Sequence, residues 1–277
     1  MSRQFSCAVK KLAITFKYFW VAVFAIVLSP ILYFQGKRIR KSVPKLPEAK
    51  VPNGKVQQNT TRELNLLCLG ESTMAGVGVD THAEGFAGTL AAKLADLLDR
   101  SINWQVYAKS GFTAKLVQQE ILPKIKDVPA DLIVIGLGAN DAFTLNSPCK
   151  WRRHIVQLIQ TLRISFPNSP IFFTNMPPIQ SFPAFTPAIR FVLGNLVELL
   201  GQTLAQEAAQ HDLVFYNAEV ITIVGWKKKW AVEGIANDFF SDGVHPSKLT
   251  YQVWAKDMAY FIVEKQVVPR ENIQKVV

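Results

Sequence analysis

Cysteine is nearly absent from this chain: Cys7, Cys68 and Cys149 are the only three in 277 residues, and their spacing offers neither a disulfide framework nor a metal site. Histidine is equally sparse. His82, His154 and His211 sit in no ligand pattern and read as surface or internally satisfied side chains. The sequence therefore calls for no metal and no organic cofactor, and it carries no internal repeat or low-complexity tract. Acidic residues are missing from one region in particular. Residues 1–60 hold 11 Lys and Arg against a single Asp or Glu, whereas residues 61–277 hold 20 of each. The formal charge of +10 is thus confined to the N-terminal segment, and the neutral remainder gives no nucleic-acid signature.

Charge of either sign is also lacking between Tyr18 and Gly36, a run of 19 residues that includes Phe19, Trp20, Phe24, Ile26, Leu28, Ile31, Leu32 and Phe34. At 1.5 Å per residue a helix of that length spans about 28 Å, close to the hydrocarbon thickness of a bilayer. A single-pass N-terminal membrane helix is expected, with Pro30 tolerated near its end and Trp20 and Tyr33 at the interfaces. A cleaved signal peptide fits less well, because no small-x-small cleavage site follows the apolar run. Arg3, Lys10, Lys11 and Lys17 precede it and Lys37, Arg38, Arg40, Lys41, Lys45 and Lys50 follow it, so basic residues flank both ends and the side of the membrane stays open. The expected organisation is an anchor with basic flanks over residues 1–41, a Pro-containing linker over 42–61 whose lysines face anionic headgroups, and a catalytic domain over 62–277.

Within that domain apolar strand-like runs near 64–69, 103–107, 131–136, 170–175 and 213–217 alternate with helical patterns near 84–99, 112–126, 150–165, 187–210 and 247–265. Such alternation means βαβ units and an α/β fold with a parallel sheet covered on both faces. Ligands then bind beyond the carboxyl ends of the strands.

Four segments lie at or near those ends. Leu66-Leu67-Cys68-Leu69-Gly70-Glu71-Ser72 brings an apolar strand to a glycine and a hydroxyl before a helix, a position that suits either an N-cap or a nucleophile whose own N–H points at an oxyanion. Ser241-Asp242-Gly243-Val244-His245-Pro246 puts a carboxylate and an imidazole three residues apart on a turn, as orienter and base or as a capping Asp and a surface His. The β-branched run Leu132–Gly136 leads to Gly138-Ala139-Asn140-Asp141, where Asn140 is an oxyanion donor or a turn residue. Lys109-Ser110-Gly111-Phe112 follows another strand, and Gly111 there allows a backbone N–H to approach a ligand closely. The elbow Gly-x-Ser-x-Gly of α/β-hydrolases is excluded, since Met74 stands where the second glycine belongs.

Taken in order, Gly70-Glu71-Ser72, Gly111, Gly138-Ala139-Asn140-Asp141 and Asp242-Gly243-Val244-His245 resemble the four blocks of the SGNH hydrolase superfamily, the GDSL esterases and lipases, over about residues 64–265. The resemblance implies a flavodoxin-like three-layer α/β/α fold with a five-stranded parallel sheet. It implies Ser72 as nucleophile, His245 as base and Asp242 as orienter, with the Ser72 N–H, the Gly111 N–H and the Asn140 side chain as oxyanion donors. Glu71 departs from the family's usual Asp, and its longer side chain is expected to position the nucleophile turn less tightly.

Two features bear on substrate. The loop Asn175–Phe185 is rich in proline and carries Phe182 and Phe185, which either wall an acyl pocket or pin the loop to the next helix. In Trp226-Lys227-Lys228-Lys229-Trp230 the two Trp share a helical face, which suits either a membrane interface or, the favoured reading, packing on the core beneath solvated lysines. The expected activity is a membrane-anchored serine ester hydrolase that works through an acyl-enzyme on lipid or other acyl esters. A carbohydrate O-acetylesterase or acetyl transferase, and an inactive membrane-tethered binding protein, stand as alternatives. The sequence is silent on oligomeric state.

Overall fold

The computed structural model describes residues 2–268, with side chains described from Leu12 onward. The expected domain end at residue 277 and the side chains of Arg3, Cys7, Lys10 and Lys11 lie outside that range.

The chain runs α1 (Ser2–Val27), α2 (Ser29–Ser42), β1 (Asn53–Val56), β2 (Glu63–Gly70), α3 (Phe86–Leu98), β3 (Ser101–Ala108), α4 (Ala114–Leu116), β4 (Leu132–Gly136), α5 (Ala139–Phe143), α6 (Pro148–Ser165), β5 (Ile171–Phe173), α7 (Pro187–Ala208), β6 (Val214–Tyr216), α8 (Ile223–Trp230) and α9 (Lys248–Glu264). All five expected strands form and pair in parallel, in the order β3-β2-β4-β5-β6. That is the doubly wound order with its reversal between β2 and β4. The sheet is nonetheless six-stranded and mixed, which corrects the expected five parallel strands. Asn53–Val56, inside the segment expected to be a linker, pair antiparallel with β3. Asn53 and Gly54 are poor strand formers, so this run carries no strand pattern in the sequence, and what holds it is the neighbouring edge of β3.

Side-chain alternation along the strands sorts the core into two layers. Leu64, Leu66 and Cys68 of β2 join Leu132 and Val134 of β4 beneath α3 and α9, where Leu90, Leu94, Trp254 and Met258 meet them. Leu67, Leu69, Ile133 and Ile135 point the other way, into Trp151, Ile155, Leu158, Leu196 and Leu200 of α6 and α7. These strands are buried on both faces, as the near-continuous apolar runs require. Cys68 is fully enclosed, and burial pushes its thiol up to about 12, so it behaves as a small apolar residue. The expected helix over 112–126 is short and uneven: α4 passes into a π turn at Val117–Ile121 and a 3₁₀ turn at Leu122–Lys124, around Pro123.

The N-terminal apolar run is not one straight span. Two helices meet at Leu28 with a bend of 77°. Pro30 explains the break, because its ring collides with the carbonyl four residues back and it donates no N–H. One face of α1 lies on α7: Ile14 and Val21 pack on Leu199, Lys17 pairs with Glu198 at 2.9 Å, and Phe24 meets Phe191 edge-on. The opposite face leaves Leu12, Phe16, Phe19, Ile26 and Val27 exposed. Among the described residues α7 alone is a single helix long and apolar enough to cross a membrane, and more than half of it is buried inside the domain. The α1–α2 pair meets the same measure only when its two arms are taken together.

Candidate active site

Gly70 ends β2 where a side chain has no room: a Cβ there would lie 2.1 Å from the Gly136 carbonyl oxygen of neighbouring β4. The two strand ends therefore close together, and the chain turns sharply into Glu71 and Ser72. The expected helix after Ser72 does not form. A single helical turn, with Ala75 N–H donating to the Glu71 carbonyl at 2.9 Å, gives way to tight turns, and the helix begins only at Phe86.

Glu71 holds this turn in place. Its Oε1 accepts from the Ala139 N–H at 2.8 Å and its Oε2 from the Asn140 N–H at 2.9 Å, while its own N–H donates to the Gly136 carbonyl. The side chain is buried, so the expectation of a looser anchor is corrected: both carboxylate oxygens are engaged, across the strand gap to the Asn140 turn. Burial pushes this carboxyl up to about 8, against the two backbone donors that favour its ionised form.

Asn140 is linked onward. Its Nδ2 donates to the Phe112 carbonyl at 3.1 Å, next to Gly111, whose φ of +85° is a left-handed conformation that glycine adopts without strain. Nothing would lie within 4 Å of a Cβ on Gly111, so the space before it is open. Asp141, fully buried, takes the Ala114 N–H at 2.8 Å and Asn146 Nδ2 at 2.6 Å, and so ties the same corner to α4 and to the loop after α5. A hydrogen-bonded path thus joins Ser72's neighbour to Asn140 and the Gly111 turn.

Asp242 and His245 occupy a turn closed by the Ser241 N–H on the His245 carbonyl at 2.8 Å. Asp242 Oδ2 lies 2.7 Å from His245 Nδ1, and Oδ1 accepts from the backbone N–H groups of His245 at 2.7 Å and Val244 at 2.9 Å. Its carboxylate is wholly enclosed whereas the imidazole is 22% exposed. Burial alone would raise Asp242, but the hydrogen bonds from the His245 ring and backbone outweigh it and hold the carboxyl below its ordinary range. An ionised Asp242 keeps the proton on Nδ1 and leaves Nε2 as a base.

This turn rests on the serine turn. Ser241 Oγ, with one hydrogen to give, lies 2.9 Å from the Pro246 carbonyl and 3.3 Å from that of Gly78, and the Tyr251 hydroxyl donates to the Val77 carbonyl at 2.8 Å. Thr73, beside Ser72, and Val244, beside His245, line one small apolar cavity of about 40 Å³. Phe182 also lines it and is buried against Phe185 and Phe240 at centroid distances of 5.3 and 5.5 Å. Phe185 stands behind Phe182, against Phe143. Trp226 and Trp254, remote in sequence, complete the wall, and only their burial in the fold reveals them. Trp230 stacks on Tyr260 with Lys256 over its face, so the Trp–Lys run packs on the core as expected.

One contact had no sequence signal. Glu48, in the expected linker, accepts from the Ser110 N–H at 2.7 Å and pairs with Lys109 at 3.0 Å, which fixes the turn that carries Gly111.

A GDSL-like lipase/acylhydrolase family model matches residues 68–253. No curated protein matches the sequence. Among solved structures, a family 3 carbohydrate esterase from Clostridium thermocellum is 15% identical, with a TM-score of 0.56 over 76% of this chain and 100% of its own. The psychrotrophic esterase EstA from Pseudoalteromonas sp. is 18% identical, with a TM-score of 0.52 over 73% of this chain and 98% of its own. The lipase Lip_vut3 from a goat rumen metagenome, also 18% identical, has a TM-score of 0.52 over 71% and 96%. These likenesses are of fold. The family match covers most of the chain and contains all the residues placed above from Cys68 to Phe240, together with Asp242 and His245, so the chain belongs to the GDSL-like lipase/acylhydrolase family and is a carboxylic ester hydrolase.

Proposed function

We propose that Ser72 is the nucleophile of a membrane-associated esterase that acts through an acyl-enzyme on lipid or other acyl esters. The observation that carries this reading is the 2.7 Å contact between Asp242 Oδ2 and His245 Nδ1, which leaves Nε2 of a partly buried imidazole to act as base on a turn braced against the serine turn. His245 takes the Ser72 hydroxyl proton as Oγ bonds to the ester carbonyl carbon. The Ser72 and Gly111 N–H groups and the second hydrogen of Asn140 Nδ2 donate to the oxyanion, the first being spent on Phe112. Collapse breaks the bond to the alcohol, which leaves with the proton from His245, and water activated by the same imidazole then releases the acid. The α1–α2 pair, basic-flanked and apolar on its outer face, contacts the bilayer.

A second reading, a carbohydrate O-acetylesterase or acetyl transferase, is favoured by the cavity beside Thr73 and Val244, which at about 40 Å³ is small and apolar. A short acyl group fits it as it stands. Turnover of p-nitrophenyl esters of graded chain length separates the two, and a fluorophosphonate probe identifies the nucleophile. Labelling at a serine other than Ser72 overturns the assignment.

A further inference from the structure

A larger cavity than the one beside the serine turn lies elsewhere among the described residues. A groove of about 760 Å³ runs between the bent α1–α2 pair and α7, in the size range of small-molecule sites. From α2 it is lined by Ser29, Leu32, Tyr33, Gly36, Lys37, Arg40 and Lys41, the i, i+3, i+4 spacing of one helix face. That face changes character along its length. Its first two turns are apolar apart from Ser29 and the Tyr33 hydroxyl, and its last two are cationic, about 12 Å further on from Leu32 to Arg40. Ile189, Val192 and Leu193 of α7 form the facing wall.

We propose that this groove seats one anionic phospholipid of the bilayer, with acyl chain along Leu32, Val192 and Leu193 and phosphate on Lys37, Arg40 and Lys41. The inference rests on the reading of α1–α2 as the bilayer-contacting element. Charge complementarity selects the occupant. No acidic residue lines the groove, none precedes Glu48 in the sequence, and Lys37, Arg40 and Lys41 are exposed and take part in no ion pair among the described residues. A soluble anion would satisfy the three cations but leave the apolar half of the groove uncovered. A lipid satisfies both, and Ile31, Tyr33 and Phe34, exposed on the same helix, continue the apolar surface into a bilayer. The groove also approaches the catalytic corner: Phe143, which lines it, lies three residues after Asn140 and packs on Phe185.

The test uses the full-length protein in nonionic detergent, with fluorescently labelled phosphatidylglycerol or phosphatidylcholine of identical chains, and reads binding by anisotropy. Phosphatidylglycerol is expected to bind about tenfold more tightly or better, and Lys37→Gln/Arg40→Gln/Lys41→Gln to erase that preference. Gly36→Phe fills the groove from a position where a Cβ meets nothing within 4 Å, and should weaken both lipids by about tenfold without a change in unfolding temperature. Equal affinity of wild type for the two lipids, or a preference that survives the triple substitution, overturns the proposal. So does displacement of the lipid by millimolar inorganic phosphate, which would make the site an anion site alone, or Gly36→Phe binding as wild type. Turnover of p-nitrophenyl acetate by the wild type is scored separately. Its failure would count against the serine hydrolase reading, not against the lipid site.

Discussion

Glu48 Oε1 accepts the Ser110 N–H at 2.7 Å, so a residue from the arm between α2 and β1 fixes the backbone one step before Gly111. If the Gly111 N–H is an oxyanion donor, its aim depends on that carboxylate. Glu48→Ala is expected to lower kcat about tenfold with KM nearly unchanged, while Glu48→Gln, which retains an acceptor oxygen, keeps most of the activity. A fall in KM-limited binding alone would assign Glu48 to substrate contact instead.

Ser72→Ala should abolish both ester hydrolysis and fluorophosphonate labelling while the thermal unfolding temperature stays within a few degrees of wild type. His245→Ala should be nearly as damaging, because nucleophile and base act as a unit. Asn140→Ala is expected to cost about 10²–10³ in kcat, the usual loss of one side-chain oxyanion donor. The Asn140 N–H bond to Glu71 is from the backbone and survives this substitution, whereas the Nδ2 bond to the Phe112 carbonyl is lost together with the donor to the oxyanion.

Glu71 gives the fold a pH dependence of definite sign. Its carboxyl is raised from 4.5 to about 8 by burial, so between those values the folded state holds a proton that the unfolded state has released. The contribution is fully present below about 4.5 and is lost as pH rises towards 8, with a slope on the order of 1.4 kcal/mol per pH unit over that window. Asp242, held low, acts oppositely: its contribution is present above its ordinary value of 3.8 and is lost as pH falls through its lower folded value. Urea unfolding at several pH values between 5 and 8 should show the first slope in the wild type and a flatter profile in Glu71→Gln. Identical profiles would show that Glu71 stays ionised in the fold.

Phe182→Ala should widen the cavity beside Thr73 and Val244 and turn selectivity towards longer acyl groups. Room for two further methylenes, at about 0.8 kcal/mol each, corresponds to roughly a tenfold gain in the ratio of butyryl to acetyl kcat/KM. Phe185→Ala, which removes only support behind Phe182, should move that ratio less. An unchanged ratio in Phe182→Ala would place the acyl group elsewhere.

What could be read in advance follows from the range of the interactions concerned. The five parallel strands announce themselves through runs such as Leu132–Gly136, because a strand buried on both faces must be apolar throughout. Asp242 and His245 lie three residues apart, so their pairing is a local matter that a turn can satisfy. Strand β1 and the Glu48–Ser110 contact are different in kind. Both join residues about 50 to 60 apart, β1 through backbone groups alone and Glu48 through a carboxylate on a backbone N–H, and a backbone partner leaves no mark on side-chain pattern. The role of Glu71 was hidden for a related reason: whether a longer carboxylate reaches two N–H groups depends on how closely β2 and β4 end, which Gly70 and Gly136 set. Pro30 reads in the sequence as tolerated near the end of one helix, and the bend at Leu28 corrects that: how sharply a helix turns there depends on what each arm packs against, and α7 supplies that surface.

Strand β1 also covers part of a sheet edge. Ser101–Ala108 is an eight-residue strand with Ile102, Trp104 and Val106 on one side, and its free edge would be a row of unpaired N–H and C=O groups able to template another chain. Asn53–Val56 occupy part of that edge with a short strand carrying Gly54 packed against the Trp104 ring and a charged Lys55 tied to Glu63. Proteolytic clipping between Val56 and Arg62 would therefore do more than free the domain from its N-terminal helices. Loss of the clipped strand would leave the β3 edge from Ile102 to Gln105 with unpaired backbone groups.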